Sequence, residues 1–68
     1  MPKDAHHQAA EHHENAAKAH RTAAQHHEKG DHKTGREHSK QAHEHSTRAH
    51  EHSTQAHKKS EEKTRSAA

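Results

Sequence analysis

Histidine is the residue type in this chain whose chemistry and spacing point to a function. It accounts for 14 of the 68 residues, and most of these recur every seven residues. Because seven residues make about two turns of an α-helix, each series lines one side of a helix. Neutral imidazole is a common metal ligand that suits Cu(II), Zn(II) and Ni(II), with Cu(II) bound most tightly. The spacing therefore predicts binding of divalent metal ions, foremost Cu(II), with Zn(II) and Ni(II) as alternatives. The candidate ligands are His6, His12, His13, His20, His26, His27, His38, His43, His45, His50, His52 and His57.

No two of these histidines lie three or four residues apart, which is the spacing that lets side chains meet on one helix face. Carboxylates do lie four residues after His7, His27 and His57, but such pairs are more often surface hydrogen bonds than metal sites. A site with several histidines must therefore form between two helices.

The apolar composition excludes a conventional core. The fourteen residues of the hydrophobic class are thirteen alanines and Met1. A buried alanine methyl contributes at most about 1 kcal/mol, whereas ordering a residue's backbone costs roughly 1–2 kcal/mol. We therefore expect a fold that is marginally stable without metal. The formal charge of +2 is spread without basic blocks, so no nucleic-acid partner is expected. The chain has no apolar run that would indicate a signal peptide or a membrane span.

The local signals predict an all-α fold, a single antiparallel helical hairpin over residues 1–68. The first helix is expected over residues 4–29, capped by Asp4 and ended by Gly30. A turn follows at 30–35, then a second helix at 36–62 and a frayed tail at 63–68. Asp31 can cap the second helix at once, or Thr34 and Glu37 can form a capping box, and the sequence leaves both starts open.

Small residues predict an Ala/Ser seam between the helices. On the first helix alanines occupy heptad position a, and position d holds Ala5, His12, Ala19 and His26. On the second helix serines occupy a and alanines d. One register then builds a ladder of histidine pairs between the e positions of the two helices: His20 with His43, His13 with His50, and His6 with His57. Other registers and looser sites are the alternatives. In the ladder register the row at position g of the second helix, His38, His45 and His52, faces Asn15 and Thr22 on the opposite flank.

The first half of the chain carries an Ala-x-x-His-His-x-x heptad. Residues 9–15 and 23–29 match it in full, whereas residues 16–22 have Ala19 in place of the first histidine. This repeat resembles the small metal-binding protein family, short His- and Ala-rich bacterial proteins that bind copper and other divalent metals. The resemblance implies a monomeric helical bundle, a periplasmic location and a role in metal binding, buffering or scavenging. The second-half heptad, with Ala-His-Glu-His-Ser-Thr, keeps the period but not the pattern.

Three other interpretations compete with metal binding. A disordered or stress-protective chain that folds on a partner is consistent with the polar composition. A second alternative is a helix that binds nucleic acid or acidic membranes once its histidines are charged. The many glutamates and the lack of bulky apolar residues disfavour it. An enzyme is least favoured, because Thr47 and Thr54 stand where a His-Glu-x-x-His zinc motif needs its second histidine. His7 and His32 are interpreted as bystanders.

Overall fold

The computed structural model describes residues 1–67 and contains two α-helices packed side by side and antiparallel. Helix α1 spans Pro2–Glu28 and helix α2 spans His32–Ala67. Together they form a rod of 56 × 13 × 12 Å. The predicted all-α helical hairpin is confirmed. Over the described residues, neither helix combines the length and apolar character that crossing a membrane requires.

Helix α1 begins two residues earlier than predicted. Met1 is its N-cap and Pro2 is its first helical residue, a position where the missing N–H of proline costs nothing. Asp4 therefore lies in the first turn and does not cap the helix. Its carboxylate lies near the N-terminal amides, where a negative charge is favourable.

The turn is much shorter than the predicted segment 30–35. Gly30 has a φ of +82°, the left-handed conformation expected of a residue that ends a helix. The Gly30 amide donates to the carbonyl of His27 at 3.0 Å, and the Asp31 amide donates to that of His26 at 2.9 Å. These two bonds define a Schellman motif.

Asp31 also starts the second helix, which settles the choice between the two predicted caps. Its Oδ1 accepts the backbone N–H of Thr34 at 3.3 Å, and its carbonyl accepts that of Gly35 at 3.0 Å. Because one residue ends the Schellman motif and caps α2, no residues are left for a longer loop. Helix α2 therefore begins at His32 and not near residue 36.

Helix α2 continues to Ala67, so the prediction of a frayed tail at 63–68 is wrong for residues 63–67; Ala68 lies outside the described residues. Residues 61–65 are mainly Glu, Lys and Arg, which are good helix formers, and no Gly or Pro interrupts them. Glu61 and Arg65, four residues apart, approach to 3.7 Å. These local preferences continue the helix without help from histidine.

The core is a double row of alanines. The buried residues with a side chain are Ala5, Ala9, Ala16 and Ala23 of α1 and Ala42, Ala49 and Ala56 of α2. On α1 these fill positions a and d, as predicted. On α2 the alanines at d lie at the centre of the interface, and the a and g positions on either side of them are partly covered.

Serine contributes less to the seam than predicted. Ser39 and Ser53 are exposed, whereas Ser46 and Ser60 are half-buried. The reason is that the d column is the only continuous row of small apolar residues on α2. Centring that column on the partner helix leaves the serine row at one edge of the interface and brings the histidine row at g to the other edge.

Candidate metal centres

Two pairs of histidines stack across the helix interface. The rings of His12 and His52 lie 4.1 Å apart between centroids and 14° from parallel. The rings of His26 and His38 lie 5.0 Å apart and 8° from parallel. In each pair a d residue of α1 meets a g residue of α2. The prediction that the g row faces Asn15 and Thr22 is therefore wrong, because α2 is rotated about its alanine column.

The predicted ladder of His20 with His43, His13 with His50 and His6 with His57 does not form. His6 Nε2 lies 2.7 Å from Ser60 Oγ, and His20 Nε2 lies 3.3 Å from Ser46 Oγ. The row at e on α1 thus faces serines at a on α2.

The matching row on α2 points away from α1. His43 and His50 are exposed, as is His13 of α1. His57 is also exposed, and its Nε2 lies 2.7 Å from Glu61 Oε1 within the same helix. The same rotation of α2 that brings its g row inward carries this e row outward.

The two stacked pairs follow the heptads of α1. His12 and His26 are the first histidines of the two complete Ala-x-x-His-His heptads, and Ala19 replaces that histidine in the heptad between them. The same register places His45 at the level of Ala19, where it is half-buried. The interface therefore alternates His–His, Ala–His and His–His levels, two helical turns apart.

His12 carries an unsatisfied polar atom. Its Nδ1 is buried and has no hydrogen-bond partner among the residues that the structure describes. A buried nitrogen without a partner costs free energy that an alanine at the same position would not. Parallel rings do not aim their nitrogens at one point, so a metal ion shared by His12 and His52 requires both rings to turn toward it.

A third histidine pair joins the ends of the two helices at the turn. His27 Nδ1 and His32 Nδ1 are 2.8 Å apart, and the rings are tilted by 35° with centroids 5.1 Å apart. In this contact the Nδ1–H of one ring donates a hydrogen bond to the Nδ1 of the other. Of the three pairs this is the one with nitrogens directed at each other.

Asp31 lies beside this pair and is already engaged. Hydrogen bonds from the Thr34 side chain and backbone lower the pKa of Asp31 from its ordinary 3.8, and desolvation opposes them. The nearby His26, whose Nδ1 lies 3.5 Å from Asp31 Oδ2, adds to the lowering. The carboxylate is thus held in its charged form as a helix cap.

No group of three or more His, Asp or Glu side chains converges anywhere in the described part of the chain. The histidines therefore offer sites of two imidazoles, with the remaining coordination positions open to water.

His32 is the residue that the sequence interpretation missed. The sequence predicts a bystander, yet His32 Nδ1 lies 2.8 Å from His27 Nδ1, within hydrogen-bond distance. A signal was present: His27 and His32 flank the Gly30-Asp31 stop, and a tight turn brings such flanking residues together. His7, the other residue taken as a bystander, is exposed.

Comparison of the chain with protein-family models, with curated proteins and with solved structures finds no match in any of the three. The resemblance to the small metal-binding protein family thus stays a prediction from the heptads.

Proposed function

We propose that this chain binds divalent transition-metal ions through paired histidines, with Cu(II) bound more tightly than Zn(II) or Ni(II). In this proposal it is a monomeric metal buffer, scavenger or storage protein and not an enzyme, and neither nucleic acid nor a membrane is a partner. The observation that carries the proposal is the placement of histidine inside an alanine seam.

Histidine at the seam is costly for a helical hairpin. It is a poorer helix former than alanine, and His12 Nδ1 is buried without a partner. The fully buried side chains of the interface are all alanine in the described residues, and the histidines beside them are half-buried. Metal binding would explain why histidine occupies these positions, because a bound ion satisfies the ring nitrogens and joins the two helices.

The chemistry of the ligands sets the expected metal. Two neutral imidazoles with open positions follow the Irving–Williams order, in which Cu(II) exceeds Ni(II) and Zn(II). The chain has no cysteine and one methionine, which disfavours a dedicated Cu(I) site. Protons compete for the same nitrogens, so the proposed buffer loads near neutral pH and releases metal below about pH 6.

The family resemblance supports the same function. The heptads that match the small metal-binding protein motif in full are those that supply His12 and His26, each stacked on a histidine of α2. Membership of that family, and with it a periplasmic location, are parts of the proposal.

Equilibrium dialysis of the untagged chain against micromolar Cu(II), Zn(II) and Ni(II) at pH 7.5 tests the proposal. One variant replaces His12, His26, His38 and His52 with glutamine. A matched control replaces four exposed histidines, His7, His13, His43 and His50, and so removes the same number of imidazoles.

We expect the native chain to bind all three ions with Cu(II) tightest. The seam variant should bind fewer ions at saturation than the control variant. A native chain that binds none of the ions would overturn the proposal and favour a stress-protective role. Equal losses in the two variants would show that binding does not use the interface.

A further inference from the structure

Gly35 is an unexplained glycine in the first turns of α2. The equivalent d positions in the next three heptads are Ala42, Ala49 and Ala56, all buried at the interface. Glycine is a poorer helix residue than alanine. The left-handed conformation that favours glycine is found at Gly30 and not here. Neither the backbone nor the alanine pattern accounts for glycine at residue 35.

The ring of His27 accounts for it. A Cβ at residue 35 would lie 2.8 Å from His27 Nε2 and 2.9 Å from both Cδ2 and Cε1. Three ring atoms at nearly equal distance mean that the imidazole lies face-on against the glycine. Alanine at residue 35 would therefore force the His27 ring to move.

The position of that ring decides its distance to His32. With the ring against Gly35, His27 Nδ1 lies 2.8 Å from His32 Nδ1. Two nitrogens bound at about 2.0–2.1 Å to one metal ion are about 2.9 Å apart at a 90° angle and about 3.4 Å apart at the tetrahedral angle. The observed spacing is close to that of two adjacent ligands of one ion, so a bound ion can replace the hydrogen bond between the rings with little change in their separation.

The backbone around this pair is fixed by the turn. The Schellman bonds hold the end of α1, and the Asp31 cap holds the start of α2. Both histidines are exposed, so an ion reaches them without opening the hairpin. In contrast, the stacked pairs in the seam must turn their rings before they converge.

We propose that His27 and His32, held together by the space that Gly35 leaves for the His27 ring, form the first Cu(II) site to fill, with Gly35 as its positioning residue. This inference rests on the proposed metal-binding function. When the ion binds both Nδ1 atoms, the donating ring moves its proton to its own Nε2 through solvent. Both rings thus stay neutral, and water completes the coordination.

The test is a Cu(II) titration of the isotopically labelled, untagged full chain at pH 7.5, followed by amide NMR below one equivalent. Paramagnetic Cu(II) broadens the signals nearest the first occupied site. In the native chain we expect the amides of residues 26–35 to broaden first, before those near His12 and His52. Broadening that begins at the seam would overturn the turn site but leave the proposed function intact.

Two variants distinguish the role of Gly35, which positions the His27 ring, from that of His32, which binds the ion. Gly35→Ala should raise the first Cu(II) dissociation constant about 10- to 100-fold, the range seen when groups that orient a metal ligand are lost. His32→Gln should raise it at least as much, because it removes a ligand. His7→Gln, at an exposed histidine that is not a candidate ligand, should leave the constant unchanged. Circular dichroism checks that each variant keeps its helix content. If Gly35→Ala does not fold, His32→Gln still tests the site, because residue 32 is exposed at the start of α2.

Unchanged first-site affinity in Gly35→Ala would show that the glycine does not position the site. Unchanged affinity in His32→Gln would refute the pair itself. A native chain without any Cu(II) binding would refute the proposed function as well as this site.

Discussion

His12 and His52 stack across the helix interface with ring centroids 4.1 Å apart. The contact joins position d of α1 to position g of α2, and His12 Nδ1 is left buried without a partner. Stacked rings attract each other by about 0.5–1.5 kcal/mol, whereas a buried unsatisfied nitrogen costs about 1–3 kcal/mol. The pair therefore adds little or nothing to the free energy of unfolding by itself.

His12→Ala is expected to leave the metal-free hairpin equally stable or to stabilise it by about 1 kcal/mol. The substitution loses the stack but removes the unpaired nitrogen and adds a better helix former. His13→Ala, at the exposed neighbour, makes the same change in helix preference and serves as the control. Urea unfolding followed by circular dichroism measures both. A loss of more than about 1 kcal/mol in His12→Ala relative to His13→Ala would show that the stack is a net stabilising contact.

A double-mutant cycle on Cu(II) affinity distinguishes the observed register from the predicted ladder. Two residues that share one ion give non-additive losses, because removing either already breaks the site. We expect non-additive losses for His12→Gln with His52→Gln and additive losses for His13→Gln with His50→Gln. The reverse pattern, measured by isothermal titration calorimetry, would favour the ladder register in solution.

Asp31 should make the hairpin sensitive to acid. Since hydrogen bonds from Thr34 lower its pKa in the folded state, its stabilising effect is complete above the unfolded pKa of 3.8. The effect is lost as the pH falls through the lower folded pKa. Asp31→Asn keeps a capping side chain and should reduce the fall in melting temperature between pH 5 and pH 2. Asp4→Asn makes the same charge change at a residue that caps no helix. Equal acid sensitivity of Asp31→Asn and the native chain would contradict this assignment.

The two glycines should respond oppositely to alanine. At Gly30 a Cβ meets nothing within 4 Å, so the cost of Gly30→Ala is the left-handed backbone alone, about 1–2 kcal/mol. At Gly35 the backbone is helical, and alanine should raise the melting temperature of the metal-free chain once the His27 ring has moved aside. Thermal unfolding of the two variants without metal checks both signs. A stabilising Gly30→Ala would mean that the turn adopts another conformation in solution.

Much of the fold could be predicted from local patterns. Gly30 as the helix stop, the alanine rows at a on α1 and d on α2, and the antiparallel hairpin all follow from residue type and period. The start of α2 did not follow, because two caps were compatible with the sequence. Only the folded turn shows that Asp31 serves both helices.

The candidate sites were harder to predict than the fold. Positions a and g of α2 are both polar, serine and histidine, so hydrophobic pattern alone does not decide which one turns inward. The choice depends on how closely the alanine columns pack, which is a property of both helices together. Consequently the histidine rows were predicted, but the partners of His12, His26 and His27 were not.

Thermal unfolding with and without Cu(II) at pH 7.5 tests most directly whether metal binds the folded hairpin. Binding to the folded state at a hundred times the dissociation constant adds about 2.7 kcal/mol per site, and each 1 kcal/mol shifts the melting temperature of a chain this small by about 4–8 °C. We predict a rise of about 10 °C or more that disappears at pH 5.5. An unchanged or lowered melting temperature in Cu(II) would contradict the claim that histidines paired in the folded chain hold the metal.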